Sequence, residues 1–315
     1  MSETEMISKH VAPLLHSGMQ AVEARIGGRV SGQAIWAEWD DGDLIQQGDL
    51  VRRRPDATAS PVWGLIITAD CDIAQNKAGN RYTWIRIVSG ADYLCSTWAP
   101  DQLRRLVEKQ ARVAAEGLGA RLRRSDPELT PLTGEGLCRW LEQDDPTTIW
   151  AAVAPEGKAD AKLLRIMQAL HAATDPLSTC SPMDRLRRAW TLLGRSAAEQ
   201  AGMIGEALKG DRGFPDFFLL PELPQTDGFG FVILLRDIAS VDADAVFGAE
   251  LEARLADRPD GFHRFGRLQD GVRFAVTQKL AFLFSRIGMP TSFEDACAAA
   301  ADLLVHQMNF QEGAA

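Results

Sequence analysis

At 315 residues, with 46% hydrophobic and 24% charged residues, the chain has the composition of an ordinary folded protein and not of a disordered or fibrous one. A formal net charge of −9 argues against a general coat for nucleic acid, because neutralising phosphates requires a local excess of Lys and Arg. No apolar run is long enough to span a bilayer, and the acidic start Met1-Ser2-Glu3-Thr4-Glu5 lacks the basic-then-apolar order of a signal peptide, so a cytoplasmic protein without membrane contact is expected.

Residues 3–26 carry Ile7, Val11, Leu14, Leu15, Val22 and Ile26 near helical spacing, and Gly27-Gly28 ends that pattern. Strand character follows at 34–39, a turn at Asp40-Asp41-Gly42-Asp43, and a short strand at 48–52. The apolar run Val62 to Thr68 is long enough for a buried strand and too short for a helix. After the turn Lys77-Ala78-Gly79-Asn80, residues 81–88 alternate in β-rich types.

From Pro100 to about Lys209 the periodicity is helical, and strand character returns at 214–220 and 229–238. Residues 242–255 can start a helix, 272–286 form an amphipathic one, and Ser292 is placed to cap a last one. Lone strands at 214–238 need partners, and the strands before residue 90 supply them. The expected fold is α+β: a small antiparallel barrel interrupted by a long helical insertion. Its expected parts are an N-terminal helix (1–28), the first part of the barrel (29–95), the insertion (96–212), closing strands (213–242) and a helical C-terminal region (243–315).

Five cysteines without a CxxC pair and five scattered histidines point away from a disulfide framework and from structural zinc. Chemistry is concentrated instead at Asp70-Cys71-Asp72. Were the preceding strand to continue that far, both carboxylates would share one face and could hold Mg²⁺ for phosphoryl chemistry. Cys71 as a nucleophile would need a base such as His171 or His263. The structural alternative has Asp70 and Asp72 capping a turn, with Cys71 buried as a small hydrophobe. Trp36, Trp39, Trp63 and Trp84 suit either a base-stacking platform or cross-strand core pairs, and the pairs are the commoner use. Arg52, Arg53 and Arg54 form the basic cluster nearest the strands, and Arg121 to Arg124 and Arg185 to Arg188 form two more.

The segments Gly48-Asp49-Leu50-Val51, Pro61 to Thr68 and Arg86-Ile87-Val88-Ser89 resemble the first three strands of MazF/PemK-type toxins, and Val232 to Asp242 is similar to their closing strand. The resemblance implies an SH3-like barrel, a ribonuclease ancestry and a bacterial toxin-like or phage-defence setting. It also places Ser89 at the family's strand-three Ser/Thr. The family's arginine before the strand-opening proline is Ser60 here, which removes the group that would stabilise charge developing on phosphate. The expectation is therefore a non-enzymatic or degenerate barrel, acting as a recognition or regulatory subunit for a protein or nucleic-acid partner through Arg52, Arg53, Arg54, Asp70 and Asp72. The alternatives are a nuclease using Asp70, Asp72, Cys71 or Ser89, with Mg²⁺ only in the metal-dependent form, and an assembly module without nucleic-acid contact.

Overall fold

The computed structural model describes residues 35–53, 61–153, 160–175, 179–209, 216–258, 260–285, 292 and 295–303. The expected N-terminal helix, Arg54 and Ser60 lie outside them. The chain divides into two compact units, residues 36–268 and residues 1–35 with 269–315.

In the larger unit seven strands form one sheet: β1 (Asp49–Arg53), β2 (Val62–Ile66), β3 (Arg81–Ser89), β4 (Phe217–Leu220), β5 (Phe231–Asp242), β6 (Val246–Phe247) and β7 (Phe262–Arg267). Their order is β4-β5-β3-β2-β1-β7-β6, antiparallel except for the parallel pair β6/β7. The strands before and after the helical stretch share this sheet, with Ile85 opposite Ile238 and Ile87 opposite Ile233.

A ladder of Leu50, Leu65, Ile85 and Ile87, each at most 2% exposed, runs through its centre. Val51, Ile66, Val246 and Phe262 make a second cluster, against which Tyr82 and Trp84 pack. Burial of both alternating sets explains why β2 reads as a continuous apolar run. Gly64 within it is required by packing: a Cβ there would sit 2.5 Å from Cε3 of Trp84. The connection from β4 to β5 crosses the sheet, since a Cβ on Gly266 of β7 would meet Pro224 at 2.9 Å and Leu50 at 3.1 Å.

Three expectations are corrected, and the condition set on Asp70-Cys71-Asp72, that the strand continue so far, is not met. The sheet is larger than a small barrel and is not closed. Residues 243–315 are not wholly helical, because β7 lies inside the sheet against β1; its sequence, Phe-His-Arg-Phe-Gly-Arg, hides its burial because the Arg264 charge is neutralised only through space. The strand expected at 34–39 is reduced, among its described residues, to a single bridge between Trp36 and Leu268. The chain after β2 turns into a short helix, α1 (Asp70–Ala74), so Asp70 and Asp72 are not on a strand.

The long helical stretch begins directly after β3, with Ser89 as its N-cap. Helix α2 (Gly90–Tyr93) passes through a π-helical turn (Leu94–Trp98) into α3 (Ala99–Ser125). Then come α4 (Gly134–Leu141), α5 (Pro146–Val153), α6 (Ala161–Thr174), α7 (Pro182–Leu192) and α8 (Ala197–Lys209). They have a core of their own, from Leu118, Leu137, Ile149, Met167 and Leu170, continued by Ala99, Leu186 and Trp190. Small residues let these helices approach closely: a Cβ on Gly117 would already stand 3.2 Å from Leu163. Past β6, α9 (Glu250–Leu255) leads towards β7. In the smaller unit α10 (Asp270–Phe284) buries Val276 and Leu283, leaves Phe284 54% exposed, and is followed by helical residues 295–303.

A candidate binding groove on the sheet

The first candidate residues lie at the end of β2 and the start of α1. Asp70 Oδ1 accepts the main-chain N–H of Gln47 at 2.7 Å, while the Gln47 amide donates to the Ile67 oxygen at 3.0 Å, so the end of β2 is tied to the turn before β1. The expected cap on the following turn is not formed: the helix Asp70–Ala74 has Ala69 at its N-cap with no side-chain cap bond, and Asp70 instead satisfies a main-chain N–H of a distant loop. Cys71 is exposed, which corrects the expectation of a buried thiol, and its Sγ donates to Asp72 Oδ1 at 3.6 Å. Neither expected base adjoins that thiol in the hydrogen-bond pattern: His171 Nδ1 pairs with the Leu141 oxygen at 3.0 Å, and His263 meets Arg52. Among the described residues no three His, Cys, Asp or Glu side chains gather as a metal site. Ser89 caps α2, its hydroxyl accepting the Asp92 N–H at 3.0 Å and donating to the Asp92 carboxylate at 2.7 Å.

The arginines of β1 are engaged. Arg52 donates to His263 Nε2 (3.3 and 3.4 Å), lies 5.5 Å from the Phe265 ring centre and stands 3.9 Å from Glu250. Arg53 lies over Phe262 at 5.8 Å. The tryptophans of β2 and β3 pack: Trp63 meets Phe231 edge-on at 5.5 Å, and Trp84 meets Phe262 at 5.1 Å.

Two adjoining hollows, of about 560 and 480 Å³, lie between the strands and the start of the helical run and share Thr97, Leu234 and Asp237. The first is walled by Pro61, Trp63, Arg86 and Asp92, the second by Tyr93, Asp101, Asp216 and Arg236. Together they make one groove, positioned by β2, β3, β5 and α2. Its charges alternate in pairs: Arg86 stands 3.8 Å from Asp237, Arg236 Nε donates to Asp216 at 2.7 Å, and Asp101 holds Arg104 and Arg105 at 2.6 and 2.8 Å. Burial, then the charges of Asp216 and Asp101, raise the Tyr93 hydroxyl above its usual pKa of 10.0, which keeps it a hydrogen-bond donor. The indole N–H of Trp63 is buried and has no acceptor.

Of the groove residues, Trp63 stood out as a candidate in the sequence; Arg86, Tyr93, Asp216, Arg236 and Asp237 were not named as site residues. A charged residue on an apolar strand was the only available signal, and it does not say which opposite charge the register brings near. No family model matches this sequence, and neither a curated protein nor a solved structure is significantly similar to it.

Proposed function

We propose that the chain is a non-catalytic recognition subunit that receives a segment of a protein partner in the groove beside Trp63, Arg86 and Asp237. The observation that carries this reading is the state of the arginines. Arg52, Arg53, Arg86 and Arg236 are each already set against a carboxylate or an aromatic ring, so these four described arginines do not make a free row of cations for a phosphate backbone. Paired charges around an apolar floor suit the mixed surface of a polypeptide, with the pairs fixing register. In this reading the sheet is an SH3-like barrel opened and enlarged by two further strands, with residues 96–212 as its helical insertion. The toxin-like or phage-defence setting rests on the MazF/PemK resemblance alone.

A photo-crosslinking residue in place of Trp63 is expected to capture one protein partner in the native host, and Asp237→Arg is expected to abolish the capture. Fluorescence anisotropy with single-stranded RNA and DNA tests the competing nuclease or nucleic-acid reading. Binding at low salt that falls steeply as salt rises, or cleavage with Mg²⁺ that Asp70→Ala and Asp72→Ala remove, would overturn the proposal.

A further inference from the structure

Helix α10 carries a stripe without a charged side chain. Phe274, Thr277, Gln278, Ala281 and Phe284 follow one another at the spacing of one helix face, on the side away from the buried Val276 and Leu283. Phe274 is 57% and Phe284 54% exposed, and Gln278 and Ala281 are exposed as well. The Thr277 hydroxyl is spent on the Arg273 main-chain oxygen at 2.9 Å, which leaves its methyl group for contact. An exposed aromatic stripe with this period suits the apolar face of a second helix.

The chain carries such a face within reach. Gln269, the N-cap of α10, donates its N–H to the Ile35 main-chain oxygen at 2.9 Å, so the segment preceding Ile35 is tethered at the start of α10. That segment lies outside the described residues, and its sequence has a pattern to match the stripe. Pro13 suits a first helical position, Leu15, Met19, Val22 and Ile26 recur at i, i+4, i+7 and i+11, and Gly27-Gly28 ends the run. As a helix, residues 13–26 span about 21 Å, against about 22 Å for α10. Residues 27–34 reach up to about 27 Å, and connections of such length join antiparallel helices. We infer that the stripe on α10 is the seat of this chain's own residues 13–26, laid against it antiparallel, with Ile26 nearest Phe274 and Leu15 nearest Phe284.

The test puts the photo-crosslinker p-benzoylphenylalanine in place of Phe274 in the full chain, irradiates a mixture of isotope-labelled and unlabelled protein, and maps the cross-linked peptides by mass spectrometry. The expected product joins position 274 to residues 13–26 of the same chain, so both of its peptides carry the same label. Val22→Asp sets a charge against the stripe and is expected to lower the yield about fivefold or more. Ser17→Asp, on the other side of the same pattern, is expected to leave it unchanged. The inference is overturned if position 274 cross-links elsewhere in the chain or not at all, or if both variants lower the yield equally. A product with mixed labels also overturns it, because the stripe then meets a second copy of the chain.

Discussion

Asp49 is fully buried at the start of β1 and answers to two arginines of β7. Arg267 reaches it through Nε at 2.6 Å and a terminal nitrogen at 3.2 Å, and Arg264 stands 3.4 Å away with no exposed side-chain surface. The second positive charge is spread over the main-chain oxygens of Asp40 and Leu44, at 2.7 and 3.2 Å. The group therefore ties the 40–44 turn to the sheet as well as β1 to β7. Removing one partner of such a group strands the others in a dry interior, so Asp49→Ala is expected to lower unfolding free energy by about 3–5 kcal/mol in urea denaturation. Gly64→Ala forces Trp84 off its seat and is expected to cost about 1–3 kcal/mol by the same measurement. Neither effect is legible from residue type: Asp49 and Arg264 both read as surface residues, and only the β1/β7 register shows them together.

Helix starts in the inserted segment depend on single carboxylates. Asp160 accepts the N–H groups of Lys162 and Leu163 at 3.1 Å, Asp145 those of Thr147 and Thr148 at 2.8 and 3.2 Å, and Glu199 that of Ser196 at 2.7 Å. The Leu163 main-chain bond leads in holding Asp160 below its usual 3.8, the Thr147 hydroxyl does so for Asp145, and the Ser196 N–H holds Glu199 below 4.5. A carboxyl depressed by folding contributes stability above its unfolded pKa and loses it as pH falls through the folded value. Helicity read by circular dichroism is therefore expected to hold from pH 7 to 5 and to weaken below about pH 4. Asp160→Asn should blunt that pH dependence while preserving much of the cap. Periodicity made α3, α6, α7 and α10 visible in the sequence. It failed at α1 and β6, which are too short to show a period, and at 34–39, whose described residues make a single bridge.

At the scale of the molecule, the sheet joins chain segments that the helices hold far apart in sequence. Pairing of Ile87 with Ile233 must await closure of that loop, whereas the helical core assembles from nearer neighbours. Pulse-labelling hydrogen exchange during refolding is expected to find α3, α6 and α7 protected before β3 and β5; simultaneous protection would contradict this order. The same distance in sequence separates the walls of the groove, since Arg86 and Asp237 come from opposite sides of the helical segment.

The sequence by itself determined that strands flank a long helical stretch, where most of the long helices lie, and that no helix among the described residues is apolar and long enough to cross a membrane. These follow from local periodicity and composition, which act over a few turns of chain. Only the tertiary structure decided that β7 enters the sheet, that the sheet stays open, that Asp70 ties down the Gln47 main chain, and that Arg86 meets Asp237. Each of those depends on which charge or ring lies across a gap in space, and spacing along the chain carries no record of it.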